Sequence, residues 1–285
     1  MSSTRDVVRT WMGKPTREGV GVNLMRIFGY YEAEQMDPFL LLDHFGSSDP
    51  DDYIAGFPWH PHRGIETVTY MIDGEVEHGD SLGNEGMISS GDIQWMTAGS
   101  GIIHQEMPQP FSGTMRGFQL WVNLPARDKM MRPRYREVHA NTVPEIEPDN
   151  LRVKVVAGQI EGTKGPVEDL AVDTSYFDIS VPPRSSHRLP VNERHTVFAY
   201  VFEGEGFFEE NRTAPVASGN VALFSRGESV YLSTVDTPMR FILVSGMALG
   251  EPIAWRGPIV MNTREELELA FEEYRAGTFI KENAT

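Results

Sequence analysis

The segment WHPHRGIETVTYMIDGEVEHGD, residues 59–80, decides how the rest of the chain is interpreted. His60 and His62 open the segment, and a β-branched and aromatic run at 67–70 leads to an Asp73-Gly74 turn. Alternate residues of a strand face the same side, so the two imidazoles share one face. Burying an imidazole without a partner is costly. The remaining sequence must therefore supply the group that these histidines face.

Short β-like runs, separated by glycine and proline, extend along most of the chain. Such runs at close spacing predict a sandwich or a barrel, and we expect an all-β fold. The runs are GVNLMRIFGY (21–30), GIETVTYMI (64–72), GDIQWMTA (91–98), MRGFQLWVNL (115–124), LRVKVVAGQI (151–160), HTVFAYVFEG (195–204), GNVALFS (219–225), ESVYLSTV (228–235) and MRFILVSGM (239–247).

One segment near the end of the chain is predicted to be helical. TREELELAFEEYRAG (263–277) begins with Thr263 as a capping residue, places Glu266 three residues on, and ends at Gly277. Two other segments interrupt the strands. PARDKMMRPRY (125–135) predicts a helical turn, and NTVPEIEPDN (141–150) predicts a connecting loop.

The two halves of the chain repeat one pattern. A Thr-Val-containing strand is followed by a strand between two glycines, Gly91 and Gly99 in the first half and Gly219 and Gly227 in the second. Both glycine pairs are eight residues apart (99 − 91 and 227 − 219). Two similar β domains in tandem explain this repeat most simply.

Composition excludes several classes of function. The formal net charge of −16 and the pI of about 4.9 disfavour direct binding to nucleic acid or to an anionic membrane surface. The chain has no cysteine, which excludes disulfides, a thiolate nucleophile and Cys-based metal sites. The N-terminus lacks the apolar core of a signal peptide, and no run approaches membrane-spanning length. We expect a cytoplasmic protein, without membrane or nucleic-acid partners.

A second pair of candidate ligands follows a glycine-rich turn. His104 and Glu106 in GSGIIHQEMP are two residues apart, so they share a face as His60 and His62 do. Two antiparallel strands can bring both pairs to one point inside a barrel. Three imidazoles and a carboxylate suit a divalent ion such as Fe(II), Mn, Ni, Cu or Zn, with two positions left open on an octahedral ion.

The competing interpretation is that these histidines are ordinary structural residues. A lone His-X-His arises often by chance or at a surface, and the joint presence of a His-X-Glu pair is what favours a metal site. We interpret the other histidines as polar-edge or hydrogen-bonded structural residues rather than as ligands. They are His44, His78, His139, His187 and His195.

Five blocks of the sequence resemble the pirin family of the cupin superfamily, and together they extend over nearly the whole chain. The HPHRG and QWMTAG motifs within them are highly specific. The blocks are PFLLLDHFG (38–46), FPWHPHRGIETVTYMIDG (57–74), GDIQWMTAGSGIIHQEMP (91–108), FQLWVNLP (118–125) and GPIVMNTREELELAFEEYRAGTF (257–279).

The resemblance implies a bicupin, two tandem cupin-type β-barrels with a short C-terminal helix. We expect a metal-binding barrel at 1–134 and a degenerate barrel without a metal at 135–285. The implied metal ligands are His60, His62, His104 and Glu106. Glu66 lies where many cupins have a carboxylate ligand, and it is a candidate either for orienting a histidine or for binding the metal itself.

The second half departs from the metal-binding pattern. Counting from the aligned glycines, Leu232 (227 + 5) corresponds to His104 (99 + 5), and Thr234 corresponds to Glu106. His195 precedes the repeated Thr-Val without a second histidine beside it. We therefore expect no metal in the second barrel.

The function implied by the resemblance is that of an Fe(II)-dependent dioxygenase cleaving the flavonol quercetin. A small aromatic substrate and O₂ would occupy the two open metal positions, and Glu106 would accept the 3-hydroxyl proton. Five residues beside the motifs are candidate pocket walls, although ordinary core packing would use them equally well. They are Phe45, Phe57, Trp59, Trp95 and Met96.

Two alternatives belong to other classes of function. A regulator would use the metal's oxidation state to alter a surface that binds a protein partner, and it should expose an apolar or charged patch near the metal. A metal-stabilised scaffold would instead lack a cavity large enough for a substrate. We expect a monomer.

Overall fold

The computed structural model describes residues 3–281, which are mostly β-strand with two α-helices. The first strands are β1 (Val7–Met12), β2 (Lys14–Glu18), β3 (Val22–Phe28), β4 (Phe39–Ser47), β5 (Phe57–His62), β6 (Ile65–Asp73), β7 (Val76–Asp80), β8 (Glu85–Ile88), β9 (Ile93–Thr97), β10 (Ile102–Pro108), β11 (Met115–Asn123) and β12 (Arg134–Val138). Then follow β13 (Glu145–Ile146), β14 (Arg152–Ala157), β15 (Gln159–Ile160), β16 (Thr163–Lys164), β17 (Thr174–Val181), β18 (Ser186–Pro190), β19 (His195–Gly206), β20 (Val216–Ala217), β21 (Asn220–Phe224), β22 (Ser229–Ser233), β23 (Met239–Met247), β24 (Ala254–Arg256) and β25 (Ile259–Met261). The helices are α1 (Ala33–Met36) and α2 (Arg264–Ala276).

The chain forms two compact units, and both are discontinuous in sequence. The first unit comprises Lys14–Ala140 and the segment that begins at Leu249. The second unit comprises the segment that ends at Gly13 and Asn141–Ala248. The all-β prediction is confirmed.

The first unit is built from a seven-stranded and a four-stranded antiparallel sheet. The larger sheet has the order β12-β9-β6-β11-β4-β3-β2, and the smaller has the order β5-β10-β7-β8. The hairpin β24-β25 and helix α2 complete this unit. β5 and β10, which carry the two predicted ligand pairs, are neighbours in the smaller sheet.

The second unit repeats this arrangement. Its main sheet has the order β1-β21-β19-β23-β17-β14-β13, and a separate pair joins β18 to β22. β19 and β21 occupy the places that β6 and β9 have in the first unit, which confirms the internal repeat. The glycines at both ends of the repeated strand have positive φ in both units, from +49° at Gly99 to +158° at Gly227.

The observed units differ from the predicted division at residue 134. β1 pairs with β21 over the register Trp11↔Val221, so the N-terminal strand is part of the second unit's sheet. The C-terminal segment packs instead on the first unit, where Arg63 forms an isolated bridge with Ile259. A sequence repeat reports which strands are similar, and it does not report which sheet a terminal strand joins.

The predicted helix and connecting segments are placed as follows. Thr263 accepts a hydrogen bond from the backbone of Glu266 and the Glu266 carboxylate accepts one from Thr263, so the capping box is present. Gly277 ends the helix in a left-handed conformation, with φ +72°. The predicted turn at 125–135 contains a 3₁₀ turn at Ala126–Asp128. The predicted loop at 141–150 also contributes β13, which pairs with β14.

Candidate metal centre

Three histidines meet where β5 and β10 pair. His104 lies opposite His60, and Ile102 lies opposite His62. One ring nitrogen from each of the three histidines lies within 4.8 Å of the others. The His60 and His104 ring centroids are 4.3 Å apart, and those of His62 and His104 are 5.0 Å apart. The structure therefore brings together the three imidazoles that the sequence predicts.

Backbone carbonyls fix the tautomers of two of these histidines. His60 Nδ1 lies 2.9 Å from the carbonyl oxygen of Pro58, and His62 Nδ1 lies 3.1 Å from that of Pro258. A carbonyl only accepts, so each Nδ1 carries the proton and each Nε2 keeps a lone pair. The two Nε2 atoms are 3.1 Å apart. Two lone pairs directed at one another are unfavourable unless a proton or a cation lies between them.

His104 has the environment of a buried ligand. Its side chain is fully buried, and neither ring nitrogen has a hydrogen-bond partner among the described residues. Burial, followed by the charges of the neighbouring imidazoles, lowers the pKa of His62 and His104 well below the usual value. Both are therefore neutral at physiological pH, as metal ligation requires. A nitrogen-preferring divalent metal fits this group, since it satisfies the buried atoms that lack partners.

Glu106 lies on the same face of β10 as His104, two residues further on. Its side chain is buried, and Oε1 accepts a hydrogen bond of 2.8 Å from the Thr69 hydroxyl. Thr69 Oγ1 is also 2.6 Å from Gln119 Oε1. One hydroxyl cannot donate to both acceptors, so the Gln119 amide is satisfied only when its nitrogen faces Thr69. Amide, hydroxyl and carboxylate then form one chain of donors that ends at Glu106.

Glu66 is placed away from the histidines. Its carboxylate accepts hydrogen bonds from Trp95 Nε1 at 3.0 Å and from Thr97 Oγ1 at 2.6 Å. Gly64, with φ +76°, turns the chain between β5 and β6, so the strand does not continue regularly from His62 to Glu66. Thr69, three residues after Glu66, contacts Glu106, and residues an odd number apart on a strand face opposite sides. Glu66 therefore faces the opposite side of β6.

A cavity of about 650 Å³ opens beside the histidines, between the two sheets of the first unit. His60, His62 and Glu106 lie on its wall. Three of the five predicted wall residues, Phe45, Phe57 and Trp59, also line it.

The other two predicted wall residues do not reach the cavity. Trp95 is fully buried, and its indole nitrogen donates to Glu66 on the opposite face of the sheet. Met96 is fully buried in an apolar cluster with Ile65 and Ile102. Trp95 and Met96 are therefore core residues, as the competing interpretation expects.

Sequence reasoning missed the aromatic side of the cavity. Trp121 lies 5.1 Å from the His62 ring, Trp255 lies 5.9 Å from Trp121, and Tyr30 lies 5.6 Å from Trp255, all measured between ring centroids. Trp255 comes from the C-terminal hairpin, so its position depends on a contact between distant parts of the sequence. The alternation in FQLWVNLP was the one signal for Trp121.

A polar row crosses the floor of the cavity. The residues are paired strand to strand in the larger sheet, Thr69 with Gln119, Gln119 with Asp43, and Asp43 with Arg26. All of them line the cavity, as does Glu18, which is bound to Arg26. We call Thr69, Gln119, Asp43, Arg26 and Glu18 the polar row. It connects the surroundings of Glu106 with the ion pair of Arg26 and Asp43.

Arg63, from the HPHRG motif, holds the C-terminal segment beside the centre. Its side chain is buried and donates to the carbonyl oxygens of Ser100 and Phe279 at 2.7 and 2.9 Å, and to Glu273 in α2 at 2.7 Å. The guanidinium also stacks over the Phe279 ring, 4.2 Å from its centroid. The same C-terminal segment supplies the Pro258 carbonyl that orients His62.

Among the remaining histidines, His78 lies nearest the centre. Its ring centroid is 5.7 Å from that of His104, and it stacks on Tyr135 with an interplanar angle of 15°. His139 forms a second group of donors with Asp92 and Glu137, and it is largely exposed. Asp92 already accepts from the backbone of Ala140 and Ser89 in that group.

Two others lie in buried surroundings away from the centre. The His44 ring packs on Phe118, and burial lowers the pKa of His44 to about 4. His195 bonds to Asp173 and Ser245 in the second unit.

Comparison with known proteins decides the family. Residues 21–122 match the family described as Pirin, and residues 176–280 match the Pirin C-terminal cupin domain. The chain belongs to the pirin family. A pirin-like protein of Caulobacter vibrioides is 45% identical to it over 277 residues, which cover 96% of this chain and 99% of the relative.

Two further relatives carry names that bear on activity. A Pseudomonas aeruginosa protein, provisionally named quercetin 2,3-dioxygenase, is 43% identical over 284 residues and covers 97% of this chain and 99% of its own length. The crystal structure of a quercetin 2,3-dioxygenase from Acinetobacter baumannii is similar with a TM-score of 0.90 and 33% identity, covering 97% of this chain and 99% of that one. The architecture is therefore that of a two-domain cupin pirin.

The second cupin unit keeps an imidazole at only one of the three positions equivalent to His60, His62 and His104. Leu232 pairs with His187 between β22 and β18, as His104 pairs with His60. The same pairing places Leu189 at the position of His62. Both leucines belong to the apolar core of this unit. The second unit thus has leucines where the first has His62 and His104, and the absence of a metal from it stays a prediction.

None of the helices in residues 3–281 combines the length and the apolar character that crossing a membrane requires.

Proposed function

We propose that this pirin is an Fe(II)-dependent dioxygenase that acts on a flavonol such as quercetin. The observation that carries the proposal is the convergence of three imidazoles beside an aromatic cavity of about 650 Å³. The names of the relatives support the same activity. The cavity is large enough for a small aromatic molecule. A protein whose metal only stabilised the fold would not need such a cavity.

His60, His62, His104 and Glu106 would hold the metal. A ferrous ion bound there would supply open positions at which substrate and O₂ meet. Glu106 accepts the proton of the flavonol 3-hydroxyl, and the Thr69 hydroxyl holds the carboxylate in place for that transfer. The Trp121 ring, beside His62, keeps water from one side of the reacting group.

Oxygen consumption tests the proposal. Protein purified without oxygen and loaded with Fe(II) should consume O₂ when quercetin is added. Glu106→Gln should keep part of the metal and lose the uptake, because the amide cannot accept the proton. Stoichiometric iron without uptake in the wild-type protein would overturn the dioxygenase. Full uptake in Glu106→Gln would limit this residue to ligand geometry.

A second candidate function is supported by the mouth of the cavity. Val20, Tyr30 and Trp59 line the cavity and are between 53% and 65% exposed. Tyr31, which contacts Tyr30 edge to face, is 91% exposed. Such an apolar patch suits a protein partner. Partner capture with the iron protein in its two oxidation states would test this regulatory function, which predicts capture that depends on oxidation state and is lost in Tyr31→Ser.

A further inference from the structure

The end of the polar row farthest from the histidines is a partly buried ion-pair network. Arg26 donates to both carboxylate oxygens of Asp43, from Nε at 2.9 Å and from Nη2 at 2.8 Å. Its Nη1 donates to Glu18 Oε1 at 2.8 Å. The Asp43 side chain is 8% exposed, whereas that of Glu18 is 40% exposed. The network therefore forms a polar wall inside an otherwise apolar part of the cavity.

The charges in this network favour one kind of ligand group. Two carboxylates face one guanidinium, so negative charge is in excess, and the guanidinium already donates three hydrogen bonds. Each Asp43 oxygen that accepts from Arg26 still has a second lone pair. The network can thus accept hydrogen bonds from a neutral hydroxyl, and it repels an anion.

We propose that Glu18, Arg26 and Asp43 form a specificity site that accepts hydrogen bonds from the hydroxyl groups of the substrate's distal ring. This inference rests on the proposed function, because it assigns the orientation of an aromatic substrate whose other end reaches the metal centre. It selects neutral polyhydroxylated aromatic molecules over aromatic carboxylates and sulfates.

The sheet sets the distance between the two ends of the substrate. Thr69, Gln119 and Asp43 lie on three successive strands, and neighbouring strands are about 4.8 Å apart. Thr69, which contacts Glu106, is therefore separated from Asp43 by about 10 Å. That span suits a molecule of two or three linked rings. Trp121 lies on one side of the polar row, and Phe45 lies on the other. Both can cover the apolar parts of a planar molecule whose hydroxylated edge meets the polar row.

Binding of flavonols that differ in one ring tests the site. Quercetin, kaempferol and galangin carry two, one and no hydroxyl groups on the distal ring. Their Kd for the iron-loaded protein is measured without oxygen, by quenching of tryptophan fluorescence, so that binding is separated from turnover. We expect the Kd to rise about tenfold from quercetin to galangin, as the loss of a hydrogen bond to a charged group predicts. Quercetin sulfated on the distal ring should bind at least about tenfold more weakly than quercetin.

Two substitutions test whether Glu18, Arg26 and Asp43 cause the preference for hydroxylated flavonols. Glu18→Gln and Asp43→Asn should each reduce the preference for quercetin over galangin, and Asp43→Asn more strongly because its carboxylate is buried. If Asp43→Asn does not fold, Glu18→Gln still tests the site, because the Glu18 side chain is more exposed than that of Asp43. Asp73→Asn is the matched control, since its 2.7 Å ion pair with Arg116 lies in the same sheet but does not line the cavity.

The outcomes separate the specificity site from the proposed function. Equal affinity for quercetin and galangin, or tighter binding of the sulfated ligand, would overturn the specificity site. The dioxygenase proposal would still stand in that case if the protein consumed oxygen when quercetin was added. A preference that Glu18→Gln and Asp43→Asn leave unchanged would also overturn it. Absence of all flavonol binding by the iron-loaded protein would overturn both.

Discussion

Thr69→Val tests how the Glu106 carboxylate is held. Valine keeps the shape of threonine but removes the hydroxyl that donates to Glu106 at 2.8 Å and contacts Gln119 at 2.6 Å. A hydrogen bond to a charged group contributes about 1.5–3 kcal/mol, which corresponds to about a ten- to hundredfold change in rate. We expect kcat for quercetin to fall by that factor, with metal content unchanged.

Thr67→Val is the matched control. Thr67 lies two residues away on the same face of β6 and is equally buried, but its hydroxyl has no hydrogen-bond partner among the described residues. Its replacement should leave kcat unchanged and should not lower the free energy of unfolding. Oxygen uptake over a range of quercetin concentrations gives kcat and KM separately. Equal kcat in the two variants would refute the role assigned to Thr69.

Three further predictions concern stability, measured by urea unfolding. Arg63→Ala should lower the free energy of unfolding by about 3–5 kcal/mol, because it leaves buried acceptors and Glu273 without their partner. The control Arg264→Ala removes an exposed ion pair with Glu268 and should lower it by less than about 0.5 kcal/mol. Similar costs for both would contradict the assigned role of Arg63. Leu232→Ala should lower the free energy of unfolding by about 2–5 kcal/mol, because Leu232 is fully buried in the second unit's core. A negligible change in the free energy of unfolding would show that this position is not packed as described. Burial lowers the pKa of Lys129 to about 7 from its ordinary value of 10.5. Between these two pH values the unfolded chain binds more protons than the folded one, so the free energy of unfolding should rise with pH across that window. Lys129→Met should lose this part of the pH dependence, and an identical pH profile would refute it.

Local signals explain what the sequence predicted well. The ends of α2 follow from side-chain capping by Thr263 and from the φ of Gly277, both of which depend on neighbouring residues alone. The pairing of His60 with His104 follows from two same-face pairs on antiparallel strands. These features need no knowledge of distant contacts.

Long-range contacts explain what the sequence could not predict. The face of Glu66 depends on the turn at Gly64, where a β-carbon would clash with the Val260 carbonyl oxygen. The tautomer of His62 depends on Pro258, 196 residues away. The polar row depends on the register of β3, β4, β11 and β6 together. Strand periodicity gives the face of each residue, but the register that places Asp43 beside Gln119 is a property of the folded sheet.

Metal content tests the central claim, that these three histidines hold a divalent ion. It should be measured on protein purified without oxygen, in the wild type, in His62→Ala and in His187→Ala, which alters the second unit's counterpart of His60. The account predicts a single ion per chain in the wild type and in His187→Ala, and a large loss in His62→Ala. Stoichiometric metal in His62→Ala, or a loss confined to His187→Ala, would contradict it.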